Sequence, residues 1–282
     1  MHEKDKALIQ SIQDFFGGIG YVSKTNKTST VEFRVSTSKD LIDVILPHFD
    51  KYPLITKKHS DYLLFKQIVL LMLDKKHNTL EGIEEIVKFR ASLNLGLPDY
   101  LKEAFPNTIS VFSNNNLEGL TKNKKLYPEW VGGFCTGESN FFIALQKSKT
   151  KSGLSVSFLF SIAQHSKDLP LFESFVNFFD SGSVVDYKKR PLCEFIITKI
   201  DDIIEHVIPF FEKYPILGSK HLNFLDFKSA ADIIKSKEHL SEDGLGLSKI
   251  SQLKERVTAL YKNKIRNNHG NINGTEKYDQ KR

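Results

Sequence analysis

The sequence predicts an α+β protein built from two tandem copies of one small unit. The second copy reads αββαββα, and the first lacks the front of that order. Three observations carry this. The chain repeats itself at long range, its apolar spacing switches between a helical period and strict alternation within each copy, and Pro or Gly falls where the period changes. The repeat is the firmest of the three. His2-Glu3-Lys4-Asp5 matches His165-Ser166-Lys167-Asp168 at an offset of 163, and Asp14-Phe15-Phe16 matches Asn177-Phe178-Phe179 at the same offset. Phe49-Asp50-Lys51-Tyr52-Pro53-Leu54-Ile55 matches Phe211-Glu212-Lys213-Tyr214-Pro215-Ile216-Leu217 at 162, followed by Asp61-Tyr62-Leu63-Leu64-Phe65-Lys66 against Asn223-Phe224-Leu225-Asp226-Phe227-Lys228. Phase held to one residue over about seventy positions marks duplication of a folded unit, and the period is far too long for a solenoid.

The elements follow in order. In the first copy the spacing predicts a helix over 4–16, strands over 21–24 and 30–35, and helices over 38–49, 62–73 and 80–93. In the second, Pro128-Glu129 stands ahead of an apolar run from Trp130, and proline is favoured in the first turn of a helix. Residues 141–147 and 156–162 alternate as half-buried strands do, split by Lys151-Ser152-Gly153. Leu171, Phe172, Phe175, Val176 and Phe179 keep helical spacing over 168–179. A second hairpin, 183–187 and 192–198, closes around Lys188-Lys189-Arg190-Pro191. Helices follow over 201–211 and 223–235, and Pro215 breaks the chain between them. The units are therefore 1–95 for the first copy, 96–127 for a polar linker, 128–262 for the second copy and 263–282 for a loose polar tail.

Composition narrows the class. An apolar share of 40% and an aromatic share of 11% can build a core, which argues against wholesale disorder. No apolar run is long enough to span a membrane, and the start Met1-His2-Glu3-Lys4-Asp5-Lys6 resembles neither a signal nor a transit peptide. Two cysteines, Cys135 and Cys193, form no disulfide framework and no cysteine-rich zinc site. A net charge of +6 with a pI near 9.0 favours a polyanionic partner. Six of the forty basic residues are arginine, leaving thirty-four lysines, a bias that an AT-rich organellar genome would supply.

The most specific stretch is Trp130-Val131-Gly132-Gly133-Phe134-Cys135-Thr136-Gly137-Glu138-Ser139-Asn140. Gly132, Gly133, Thr136 and Gly137 place small residues on one side of the expected helix. Glycine inside a helix costs roughly 1 kcal/mol against alanine, so a closely packed partner should compensate. Glu138 ends that helix just before a strand, where a partner helix would bring its own carboxylate. Two acids meeting at a phosphate can share divalent metal ions. The bland alternative is a tightly packed core helix.

This segment resembles the second motif of LAGLIDADG homing endonucleases of the single-chain, two-repeat type found in fungal mitochondrial introns. Phe160-Ser161-Ile162-Ala163-Gln164-His165, Lys51-Tyr52-Pro53-Leu54-Ile55, Tyr62-Leu63-Leu64-Phe65-Lys66 and Leu93-Asn94 add to the likeness, which extends to about Lys262. It implies a pseudo-two-fold pair of repeats, each giving one motif helix to a central interface and one saddle-shaped antiparallel sheet to the DNA major groove. It also implies Glu138 as one of two metal-binding acids, with the carbonyl of Gly137 beside it, Mg2+ as cofactor, and Gln164, Lys58 and Lys220 around the scissile phosphates. A lysine near metal-bound water can stabilise developing negative charge. Any one lysine of thirty-four reads as solvated surface, but Lys58 and Lys220 occupy repeat-equivalent positions.

Two departures stand out. Ser139 replaces the glycine that closes the motif, and the first motif helix and its hairpin have no counterpart in the residues before His2. The resemblance then implies half of the acid pair and three-quarters of the β-surface. It leads to the expectation that residues 1–282 alone cleave poorly and self-associate, whereas the intact form is a monomer. Whether the front piece is encoded upstream or lost stays open.

Three hairpin clusters are candidates for the DNA-facing surface: Gln146, Lys147, Lys149 and Lys151; Tyr187, Lys188, Lys189 and Arg190; and Tyr21, Lys24, Asn26, Lys27 and Arg34. Lysines would contact phosphates, while Gln146, Asn26, Arg34 and Arg190 suit base edges. His59 and His221 are repeat-equivalent but lack companions at metal-ligand spacing, and neither a glycine-rich phosphate loop nor a nucleophile elbow is present. The expected function is intron-encoded, metal-dependent cleavage of double-stranded DNA at a long asymmetric site, in the mitochondrion. An RNA-binding intron maturase and an inactive DNA-binding remnant stay open as alternatives on the same fold.

Overall fold

A computed structural model describes residues 1–25, 29–93, 96–111, 126–149 and 153–268. In the second copy, α6 (Pro128–Glu138) runs straight into β3 (Ser139–Lys147), which pairs antiparallel with β4 (Leu154–Gln164). After α7 (Leu169–Phe179) come β5 (Ser183–Tyr187) and β6 (Leu192–Ile197), giving a four-stranded sheet in the order β3-β4-β6-β5. Alternation along the strands decides which face is covered. Phe141, Ile143, Phe158, Phe160, Ile162, Phe195 and Ile197 point into one core with Phe172, Phe175, Phe211, Phe224 and Phe227 from the helices. Fully burying a side chain of this size contributes about 1.5–3 kcal/mol, so this phenylalanine cluster is the main store of stability in the molecule.

Two helices complete that core, α8 (residues 200–213) and α9 (Lys220–Lys235), followed by α10 (Leu245–Asn268). The spacing of Ile250, Leu253 and Val257 buries one face of α10, a helix not anticipated from the sequence, which runs on past residue 262 into the stretch read as a tail. Its counterpart in the first copy is α4 (Leu80–Ser92): both follow a left-handed lysine, Lys75 or Lys237, and a single 3-10 turn. Gly82 and Gly246 each stand where a Cβ would collide with the carbonyl of Lys76 or Glu238. The duplication therefore extends one helix beyond the match in the letters.

The first copy holds α1 (Lys6–Phe15), β1 (Tyr21–Thr25), β2 (Thr30–Arg34), α2 (residues 38–51), α3 (Lys58–Leu73) and α4, with a short α5 (Asp99–Ala104) in the linker. Met1 exchanges two backbone hydrogen bonds with Val31, at 2.7 and 2.8 Å, the place that Gln164 takes opposite Cys193 in the second copy. The helices predicted over 38–49 and 201–211 both form, but each is interrupted by a π turn, Leu41–Ile45 and Ile203–Val207. Pro47 and Pro209 explain this, since a proline has no N–H for the helical ladder and its ring crowds the carbonyl four residues back. Among the described residues no helix is long and apolar enough to cross a membrane.

The two copies grip each other reciprocally. Asp168 accepts from the Lys57 N–H at 2.7 Å, just before α3, and Asp5 accepts from the Ser219 N–H at 2.6 Å, just before α9. Ile55 of the first copy also packs on the core of the second.

Candidate functional site

The site begins with how α6 ends. Its small residues do not share one face as expected, because they divide into two pairs spaced four apart. Gly132 and Thr136 face inward: a Cβ on Gly132 would lie 3.3 Å from the Tyr214 carbonyl, and Thr136 Oγ1 donates to Gly132 and accepts from the Leu217 N–H at 3.1 Å. Gly133 and Gly137 lie on the open side, with nothing within 4 Å of an added Cβ. Ser139 Oγ donates to the Cys135 carbonyl at 2.6 Å, so the departure from the motif supplies a bond that glycine could not.

Lys220, the first residue of α9, reaches the same helix end. Its Nζ donates to the carbonyls of Cys135 at 3.1 Å and Gly137 at 3.0 Å. A cation at a helix C-terminus is favoured by the helix dipole, and Glu138, the exposed last residue of α6, follows the Gly137 whose carbonyl Lys220 holds. Of the residues singled out in the sequence, the structure brings Gly137 and Lys220 together, with Glu138 next in the chain. Gln164 ends β4, opposite Cys193, and its Oε1 accepts the His165 N–H at 3.1 Å. Lys58, at the equivalent start of α3, is exposed and stands 3.4 Å from Asp61. Beside it, burial and the neighbouring Lys167 lower the pKa of Lys57. Burial drives the Cys135 thiol well above its ordinary value and pushes Cys193 up to about 12, so neither is a nucleophile at neutral pH.

A divalent cation of the magnesium type takes one or two carboxylates and fills its sphere with water and substrate phosphate oxygens. Glu138 and the Gly137 carbonyl fit the protein's share of such a site. No cluster of three or more His, Cys, Asp or Glu side chains that could hold a metal ion exists among the described residues.

The outward face of the four-stranded sheet carries Asn140, Phe142, Ala144 and Gln146 on β3, Ser155, Ser157 and Leu159 on β4, Glu194 and Ile196 on β6, and Val185 and Tyr187 on β5. The two basic hairpins of this copy do not meet. Lys147 and Lys149 stand at the far end of β3, whereas Lys188, Lys189 and Arg190 stand at the end nearer Glu138. Arg190 lies over the Tyr187 ring at 4.7 Å, and Tyr187 donates to Glu194 at 2.7 Å. In the first copy Lys24 pairs with Glu3, and Arg34 pairs with Glu32 at 2.6 Å and bonds Tyr21. Glu32 and Glu194 are repeat-equivalent carboxylates on the outward faces, a feature that alternation plus the repeat could have revealed. Asn26, Lys27 and Lys151 lie outside the described residues.

Two α+β repeats, joined so that a glycine-rich helix ends in an acid above an antiparallel sheet, define the class. A family model for LAGLIDADG endonucleases matches residues 1–69 and 131–231, and the chain belongs to that family. It is 52% identical over 264 residues to a Neurospora crassa protein named probable intron-encoded endonuclease 2, a match covering 91% of this chain and 56% of that one. The chain spans about half the length of the curated relatives it matches. Among solved structures, the I-SmaMI LAGLIDADG homing endonuclease bound to cleaved DNA is similar at a TM-score of 0.83 and 38% identity, covering 90% of this chain and 83% of that one. The I-LtrWI homing endonuclease bound to target DNA is similar at 0.85 and 36%, covering 91% and 84%. I-SmaMI has also been solved on uncleaved DNA in the presence of calcium ions.

Proposed function

We propose that this chain acts in site-specific, metal-dependent hydrolysis of double-stranded DNA, as an intron-encoded endonuclease of mitochondrial origin. The observation that carries this is the Lys220 ammonium on the Cys135 and Gly137 carbonyls at the end of α6, where the exposed Glu138 follows in the chain. Glu138 and the Gly137 carbonyl would hold Mg2+, which when bound would supply Lewis-acid stabilisation of the phosphate and an activated water. Lys220 places positive charge where the phosphorane builds up negative charge, and Gln164 offers an amide at the neighbouring strand end. The open Gly133–Gly137 side of α6 suits close approach of a second helix bearing the second acid. The outward sheet faces lie along the DNA, with the lysine-bearing hairpin ends on phosphates. The repeats differ at equivalent outward positions, Arg34 against Ile196 and Ser23 against Val185, so the two half-sites read differ and the target is asymmetric.

Binding tests this reading first. Affinity for duplex DNA carrying the uninterrupted host-gene sequence should fall steeply with salt, with a slope of about −0.9 in log–log terms per phosphate contacted. Anisotropy titrations across a salt series measure it. A consistent preference for intron RNA over every duplex tried would replace the endonuclease with the maturase.

A further inference from the structure

We infer that Asp5 is a positioning residue that sets Lys220 across the repeat boundary, and that Asp168 holds the equivalent start of α3, next to Lys58, from the other side. Asp5 takes the Ser219 N–H on Oδ1 at 2.6 Å and the Ser219 hydroxyl on Oδ2 at 3.2 Å, so both carboxylate oxygens clamp the residue directly before Lys220. Gly218 makes room for the clamp. It holds φ +66°, and a Cβ there would lie 2.7 Å from Asp5 Oδ1. The turn that Asp5 holds is tied to α6 on its other side by the Leu217–Thr136 bond, and Lys220 closes the circuit onto Cys135 and Gly137. Asp5 is itself fixed, since it is 8% exposed and its N–H donates to the His2 carbonyl at 2.9 Å. Asp168, 7% exposed, donates its N–H to His165 at the same distance and takes the Lys57 N–H, so one device is used twice in opposite directions.

A carboxylate that fixes the residue before a helix confines where that helix starts, and Lys220 is the first residue of α9. Without Asp5 the backbone at Ser219 loses its fixed acceptor and the lysine loses its register on the two carbonyls. A clamp that only joined the repeats would act on both helices alike. A positioning residue acts on the helix whose start it holds.

The catalytic consequence rests on the hydrolytic reading of Glu138 and Lys220, but the placement of Lys220 does not. The side-chain ammonium signal of Lys220 can be followed by NMR in the full chain and assigned by its loss in Lys220→Met. In Asp5→Ala it should collapse onto the free-lysine position. In Asp5→Asn, which keeps an amide oxygen for the Ser219 N–H but loses the charge, it should move part of the way. In Asp168→Ala, which removes the matching bond elsewhere, it should stay. Should Asp5→Ala not fold, Asp5→Asn carries the same comparison. An unmoved Lys220 signal in the Asp5 variants, or an equal shift in Asp168→Ala, overturns the proposal. Strand-resolved single-turnover cleavage adds the functional arm: Asp5→Ala should slow one strand on the order of tenfold more than the other, and Asp168→Ala should reverse the bias. Equal slowing of both strands overturns the positioning role. Absence of cleavage by the unaltered protein counts against the hydrolytic reading alone, and the NMR comparison still decides the placement.

Discussion

His48 stands where the second copy has Phe210, and the substitution has a physical cost. The imidazole is half-buried among Phe15, Phe16, Phe49 and Tyr52, with ring centroids 5.0 to 5.5 Å away, and burial lowers its pKa below the ordinary histidine value. A depressed folded pKa means that the unfolded chain takes up the proton first. Stability is therefore whole above the ordinary histidine value and declines as the pH falls through it. His48→Phe should abolish that decline, raising Tm by a few degrees near pH 5.5 and much less at pH 8, which melting curves at the two pH values would show. Equal gains at both would mean that packing alone is at work. At this scale the sequence supplied the candidates. Glu138 stood out through its glycines, and Lys220 through its repeat partner. Asp5 and Asp168 escaped notice because their partners lie 214 and 111 residues away, and nothing local in Lys4-Asp5 or Lys167-Asp168 announces a bond to the start of a distant helix.

Among the elements, α6 shows most clearly what periodicity can and cannot say. Small residues at helical spacing were legible, but their division between a packed pair and an open pair depends on where the 214–217 turn lies. The division makes a prediction. Gly133→Ala meets nothing and should recover roughly 1 kcal/mol of helix propensity, visible as a higher Tm, while impairing cleavage because the approaching helix would meet the methyl group. Gly132→Ala must push against the Tyr214 carbonyl and should bring no such gain. A destabilised Gly133→Ala chain would mean that this face is already packed in solution. The helix α10 was available in principle: the spacing predicts a helix over 80–93, and the repeat offset of 162 carries its start to 242, three residues before the observed Leu245. The π turns were not, because Pro47 and Pro209 signal a break in the ladder without saying how the chain accommodates it.

Taken whole, the molecule is two unequal copies held by equal bonds. The second owns the large phenylalanine core and the four-stranded sheet, and the described part of the first carries two strands and leaves Phe15 69% exposed. The α+β class and the repeat were legible because duplication preserves apolar spacing. The layout of the basic hairpins at opposite ends of the sheet was not, since strand order is a long-range property. The most direct measurement compares the protein and its Glu138→Gln variant on one duplex target, scoring binding and Mg2+-dependent cleavage together. The variant keeps Lys220 and the rest of the surface, so its affinity should stay within about threefold, a shift under 1 kcal/mol, while the Mg2+-dependent cleavage given by the unaltered protein should be lost in the variant. Undiminished cleavage by Glu138→Gln would remove the end of α6 from the chemistry and contradict the account.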